Sequence, residues 1–119
     1  MFAPELLDHF RNPRNVGELA DADASASVEN PACGDIMQLM LRVRAGRIDE
    51  VRFRTRGCVA AIACGSLLTE LLQGSTLEAA RSLQRSQLVA GVGGLTNESM
   101  HASHLAIDAL KAVLAQVKG

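Results

Sequence analysis

Alternation of apolar and charged residues over Ile48–Thr55 gives way, across Arg56-Gly57-Cys58, to a stretch from Val59 to Leu72 that is almost wholly apolar. In the first pattern Ile48, Val51, Phe53 and Thr55 stand against Arg52, Arg54 and Arg56, the spacing of a strand with one buried and one wet face. In the second, Leu67, Leu68, Leu71 and Leu72 fall at helical spacing, and Gly74 closes the run as a C-terminal cap. A half-buried strand feeding a buried helix restricts the chain to folds in which helices cover a sheet.

The rest of the sequence fills in that scheme. Leu39, Leu41 and Val43 are apolar with Gln38 and Arg42 among the intervening residues, a second strand-like run over Ile36–Val43 that Ile36 and Met40 interrupt. Ala45-Gly46 joins the two runs as a hairpin turn. Ala24-Ser25-Ala26-Ser27-Val28 alternates as a short further strand. Leu6, Leu7 and Phe10 predict a helix from about Pro4 to Phe10, with Pro4 tolerated in the first turn and Asn12-Pro13 stopping it. Downstream, Thr76 caps a helix reaching about Leu83, and a third short helical piece covers Ser86–Val89. Gly91–Asn97 reads as a glycine-rich loop. The last helix, about His101 to Val117, carries Ala102, Ala106, Ala109, Leu110, Val113 and Val117 on one face and His104, Asp108 and Lys111 on the other. The expected fold is α+β: an N-terminal helix, a small three-stranded antiparallel sheet, and helices packed on one face. The 119 residues show no repeat and no linker, so they read as a single domain over residues 1–119, long enough to bury a core.

Composition excludes some functions. With a formal net charge of -1, no Trp, no Tyr and 3 Phe, the chain offers neither the polycation nor the stacking surface of a nucleic-acid binder. No apolar run approaches the roughly 18–20 residues of a membrane span. Met1–Phe10 lacks the basic start and apolar core of a signal peptide, so a cytoplasmic location is expected. There thiols stay reduced, and Cys33, Cys58 and Cys64 read as metal-binding, reactive or buried rather than as a disulfide framework.

Three places carry possible chemistry. In Asn30-Pro31-Ala32-Cys33-Gly34-Asp35 a thiol and a carboxylate sit two residues apart, with Gly34 free to bend the backbone so that both aim at one point. Cys58 follows Gly57 where the strand meets the apolar helix, and a helix N-terminus is expected to lower the pKa of its thiol. His101 opens the last helix. Two thiolates, an imidazole and a carboxylate are a set that zinc or an iron–sulfur centre accepts, although cysteines this far apart are a weak signal by themselves.

The ordered motifs are more specific. His9-Phe10-Arg11-Asn12-Pro13-Arg14-Asn15-Val16-Gly17, Asn30–Asp35, Gly57-Cys58-Val59-Ala60-Ala61-Ile62-Ala63, Leu67-Leu68-Thr69-Glu70, and the helix around His101, Leu105-Ala106 and Asp108-Ala109 together resemble the IscU/NifU N-terminal family over nearly the full chain. The resemblance implies a non-enzymatic scaffold that binds iron, receives sulfur from a cysteine desulfurase, assembles a transient [2Fe–2S] cluster and passes it to apo acceptor proteins. It implies cluster or zinc ligands at Cys33, Asp35, Cys58 and His101. The family's third cysteine, an important sulfur acceptor, is missing, because His-Cys-Ser reads His101-Ala102-Ser103 here. Its Leu-Pro-Pro-Val-Lys chaperone stretch is replaced by Leu95-Thr96-Asn97-Glu98-Ser99, so handover through the dedicated Hsp70-type chaperone is not expected. No insertion between Cys58 and His101 marks the zinc-dependent SufU branch. A chain without the third cysteine also fits a zinc-bound adaptor or regulator, or a sulfur relay, docking on a desulfurase.

Each residue has a plainer reading beside the functional one. Cys64 either replaces the lost cysteine among the cofactor-binding residues or is a core cysteine. Six helical residues would separate it from Cys58 by about 9 Å, against the roughly 4 Å between two thiolates sharing one zinc ion. His101 is otherwise an exposed helix-start residue, and Asp35 a turn cap. His104 reads as solvated, with a spare-ligand role open, and His9 as part of the seating of the first helix. Arg52, Arg54 and Arg56 read as a solvated strand face, or as a contact surface for an acidic partner.

Overall fold

Ala45 and Gly46 both take positive φ, 52° and 75°, the pair of left-handed residues that a two-residue hairpin turn requires. In this computed structural model, which describes residues 2–117, the turn joins β2 (Ile36–Arg44) to β3 (Arg47–Arg56), and β1 (Ala24–Glu29) pairs antiparallel with β2 on the other side. The strand order is β1-β2-β3. Leu39 faces Phe53 and Leu41 faces Val51, but the register shifts between Arg42 and Val43, so that Val43 faces Ile48. The shift leaves Asp49 as an extra residue in β3, a bulge. It explains how Ile48 and Val51, three apart, are both fully buried.

Around the sheet stand α1 (Pro4–Arg11), α2 (Val59–Leu72), α3 (Leu77–Ser82), α4 (Arg85–Gly91) and α5 (His101–Leu114), with a 3-10 turn at Asn97–Ser99. Helix α2 lies over β3, and α5 over β1 and β2. Met37, Leu39, Leu41, Val51 and Phe53 meet the helices, and Ala60, Ala63, Leu68, Ala102, Ala106 and Val113 complete the core, all at most 1% exposed. Gly65 lets α2 sit close: a β-carbon there would lie 2.5 Å from the Phe53 ring. The expected α+β layout, with its N-terminal helix, three-stranded antiparallel sheet and helices on one face, is the observed one. No helix among the described residues is long and apolar enough to cross a membrane.

Both outer edges of the sheet are engaged. Along β3, Phe53 N–H donates to Asn15 C=O (2.9 Å) and Phe53 C=O accepts from Gly17 N–H (3.1 Å). Further along, Ile48 N–H donates to Ser75 C=O and its C=O accepts from Gly74 N–H, both 2.8 Å. On β1, the Gln116 side chain accepts from Ser25 N–H (3.1 Å) and donates to Ser25 C=O (2.7 Å).

Several boundaries differ from expectation. Helix α1 continues to Arg11, α4 occupies Arg85–Gly91 rather than Ser86–Val89, and α5 stops at Leu114. Thr76 does cap α3, its hydroxyl accepting from Ala79 N–H at 3.0 Å. Leu71, grouped with the buried stripe by helical periodicity, is 42% exposed. Glu70 and Gln73 beside it are exposed too, so the last turn of α2 outruns the elements that cover its middle.

Candidate metal centre

The hairpin pairing brings the end of β1, the start of β2 and the end of β3 together, since Glu29 faces Ile36 and Ile36 faces Arg56. The loop between β1 and β2 is tightly folded. Asn30 N–H donates to Asp35 C=O (2.8 Å), Gly34 N–H to Asn30 C=O (2.7 Å), and Ala32 N–H to the Asn30 side chain (2.9 Å). Gly34, at φ +78°, makes the bend. The result leaves Cys33 exposed and turns Asp35 inward, only 9% exposed.

Asp35 reaches the junction of β3 and α2, where Cys58 is the N-cap of α2 and its N–H donates to Asp35 Oδ2 at 3.4 Å. Gly57 makes room for this, because a β-carbon at that position would lie 2.8 Å from Asp35 Cγ. From the opposite side comes His101, the first residue of α5. Its Nδ1 lies 2.9 Å from Glu98 C=O. A carbonyl only accepts, so Nδ1 carries the proton and Nε2 of the neutral ring presents its lone pair. That Nε2 lies 3.7 Å from Cys58 Sγ and 3.4 Å from Asp35 Oδ2.

These separations can be judged against tetrahedral coordination. Metal–sulfur, –nitrogen and –oxygen bonds of about 2.3, 2.05 and 2.1 Å give edges of roughly 3.6 Å for N···S and 3.4 Å for N···O. The observed edges are within 0.1 Å of both. Donor atoms of Cys33, Asp35 and His101 also lie within 4.8 Å of one another. Cys58 stands outside that triplet but touches it through His101 and Asp35. Four residues from three separate segments thus meet at one end of the sheet.

Helix α2 does not lower the Cys58 pKa overall, contrary to expectation. Burial raises it above the ordinary thiol value and the Asp35 carboxylate adds to the rise, while the Ala60 and Ala61 amides at the helix start pull the other way. The helix-start amides lower it as donors, and desolvation exceeds them. Cys64 is fully buried in α2 among core residues, and burial pushes its thiol up to about 12. The structure does not bring it to Cys33, Asp35 and His101. Ala102, where the family's third cysteine stands, is fully buried as well.

His9 seats α1, as read: Ser66 Oγ lies 2.7 Å from its Nδ1. His104 is exposed. Arg54 pairs with Glu18, and Arg42 and Arg52 both reach Glu50, so part of the arginine face is neutralised within the chain. Sequence reasoning missed two contributors to the site. Glu98 acts through its backbone carbonyl, which leaves no signature in residue type. Gly57 was legible as a glycine beside Cys58, but its role is to clear space for Asp35, which is 22 residues away.

Fold and site together define a small α+β protein with a thiol–imidazole–carboxylate cluster at the end of its sheet. The chain belongs to the family described as the NifU-like N terminal domain, whose profile matches residues 1–119. It is 45% identical over 111 residues to iron-sulfur cluster assembly scaffold protein IscU 1 of Archaeoglobus fulgidus, covering 93% of this chain and 72% of that one. It is 41% identical over 121 residues to the IscU scaffold protein of Haemophilus influenzae, covering 98% and 95% respectively. Among solved structures, the N-terminal NifU-like protein of Brucella abortus shares the fold with a TM-score of 0.79 at 19% identity, covering 96% of this chain and 92% of that chain.

Proposed function

We propose that this protein is a non-enzymatic scaffold on which an iron–sulfur cluster is assembled from iron and from sulfur delivered by a cysteine desulfurase, and from which it passes to apo acceptor proteins. The observation that carries the reading is the pair of edges around His101 Nε2, 3.7 Å to Cys58 Sγ and 3.4 Å to Asp35 Oδ2, with Nδ1 held by the Glu98 carbonyl. A ring oriented through its second nitrogen is the usual arrangement of a metal-binding histidine. The names of the relatives support the same class. A [2Fe–2S] unit needs two protein ligands on each iron, and Cys33, Asp35, Cys58 and His101 supply that number without a third cysteine. Cys64 takes no part, because its thiol is fully buried. Exposed Cys33 and a mixed ligand shell suit a cluster that must leave. The chaperone that recognises the family's proline motif has no role in this reading.

The same edges suit zinc, which supports a second reading: a zinc-bound adaptor docking on a desulfurase. Anaerobic reconstitution with iron, sulfide and reductant separates the two. Absorbance and iron and sulfide content should show a [2Fe–2S] cluster on wild type, lost in Cys58→Ala and His101→Ala and retained in Cys64→Ala. Wild type that takes up no cluster yet binds zinc tightly overturns the scaffold and leaves the adaptor.

A further inference from the structure

Away from the candidate metal centre, a groove of about 540 Å³ runs between the α3–α4 connection and α5, lined on one side by Arg81 and Arg85 and on the other by His104, Asp108 and Lys111. Leu83 and Ile107 line it as well, Ile107 being 8% exposed. Arg81 Nη2 donates to Val117 C=O and Arg85 Nη1 to the buried Ser103 Oγ, both at 3.4 Å, so each guanidinium is held by neutral oxygen.

The charges here are unbalanced. Arg14, Arg42, Arg52 and Arg54 each have a carboxylate within 4.0 Å. Among the described residues, no ion pair of that length involves Arg81, Arg85 or Lys111, and Asp108 in the same groove pairs with none of them. A chain of formal net charge -1 therefore gathers three cations against one carboxylate, Asp108, in one cleft, none of them ion-paired within 4.0 Å among the described residues.

We propose that this groove receives an acidic segment of a partner protein. The cations are spread over two walls, and His104 to Lys111 alone spans roughly 10 Å along α5. A single compact anion needs donors converging on one point, whereas carboxylates spaced along a peptide match cations spaced along a cleft. Leu83 and Ile107 give an apolar side chain of such a segment somewhere to rest between them. Complementary charge of this kind fixes orientation and speeds encounter. The groove shares α5 with His101, its wall running from roughly 5 Å (His104) to 15 Å (Lys111) along the helix from His101, so a seated partner lies beside the candidate metal centre. The proposal rests on the scaffold reading only for why a partner needs orienting there.

The probe is the peptide Glu-Ala-Ala-Leu-Glu-Ala-Ala-Glu, blocked at both ends, titrated into isotopically labelled protein and followed through backbone amide resonances. Saturable shifts are expected over Arg81–Arg85 and His104–Lys111, reduced at roughly 0.3 M salt where the Debye length shortens. The variant Arg81→Glu with Lys111→Glu should bind about tenfold more weakly or worse, while its dispersed spectrum shows that it is folded. Three results overturn the proposal: equal binding of the Gln-substituted peptide, shifts centred on Arg52–Arg56 instead, or tighter binding of inorganic pyrophosphate at the groove. Cluster reconstitution from free iron and sulfide needs no partner, so the double variant should retain it. Peptide binding by a protein that assembles no cluster removes the scaffold reading and leaves the groove standing.

Discussion

Cys58 and Cys64 occupy one helix and have opposite surroundings. Cys58 stands at the N-cap at the surface beside Asp35 and His101, and Cys64 lies about 1.7 turns further along with no exposure at all. A thiol pushed up to about 12 is almost entirely protonated at neutral pH, and neither a ligand nor a nucleophile is expected of it. Cys64→Ala should therefore lower unfolding stability by about 2 kcal/mol, as other large-to-small core changes do, with cluster content per chain unchanged. Urea unfolding and iron analysis on the same preparation check both halves, and loss of iron without loss of stability would reverse the assignment. The sequence left Cys64 open because its distance from Cys58 depends on where the helix begins, which residue types do not fix; with α2 starting at Val59 the two are held apart. Cys33, Asp35, Cys58 and His101 were named through family motifs. Residue types at positions this far apart do not by themselves say that the segments meet.

Helix α1 is held to α2 by a polar cluster as well as by fully buried Leu6. Arg14 N–H and the His9 ring both meet Ser66 Oγ, and Arg14 also donates to His9 Nδ1 at 3.2 Å and pairs with Asp8 and Glu70. Burial lowers the His9 pKa first, and the Arg14 guanidinium lowers it further against the opposing pull of Glu70 and Asp8. The folded protein therefore binds a proton at His9 less readily than the unfolded chain does. Stability from this group is complete above the ordinary value of 6.5 and is lost as pH falls from there through the depressed folded value. Wild type should lose stability between neutral pH and pH of about 5.5 more steeply than His9→Gln. Parallel slopes in urea titrations of the two proteins would assign the acid sensitivity to another group. At this scale α1 was legible from Leu6, Leu7 and Phe10, and the hairpin from its alternation. The bulge at Asp49 was not, because an extra residue shows only once the partner strand is in place.

Across the whole molecule, the candidate metal centre sits at one end of the sheet and the cationic groove farther along α5, so that one helix serves both. The layout follows from three consecutive strands, preceded only by α1, with the remaining helices after them, which is why the fold class was readable from the sequence. How α5 ends was not: periodicity carried it to Val117, whereas it stops at Leu114 and frees Gln116 to turn its amide onto Ser25. That amide has a consequence for how copies of this chain behave at high concentration. The outer edge of β3 is occupied by backbone from Asn15–Gly17 and Gly74–Ser75, whereas at Ser25 a single side chain holds the edge of β1. An unguarded edge is a template for further strands. Gln116→Ala should leave the monomer folded yet make it assemble into thioflavin-binding fibrils sooner than wild type, and equal lag times for the two would show that Gln116 does not act as the sheet's gatekeeper.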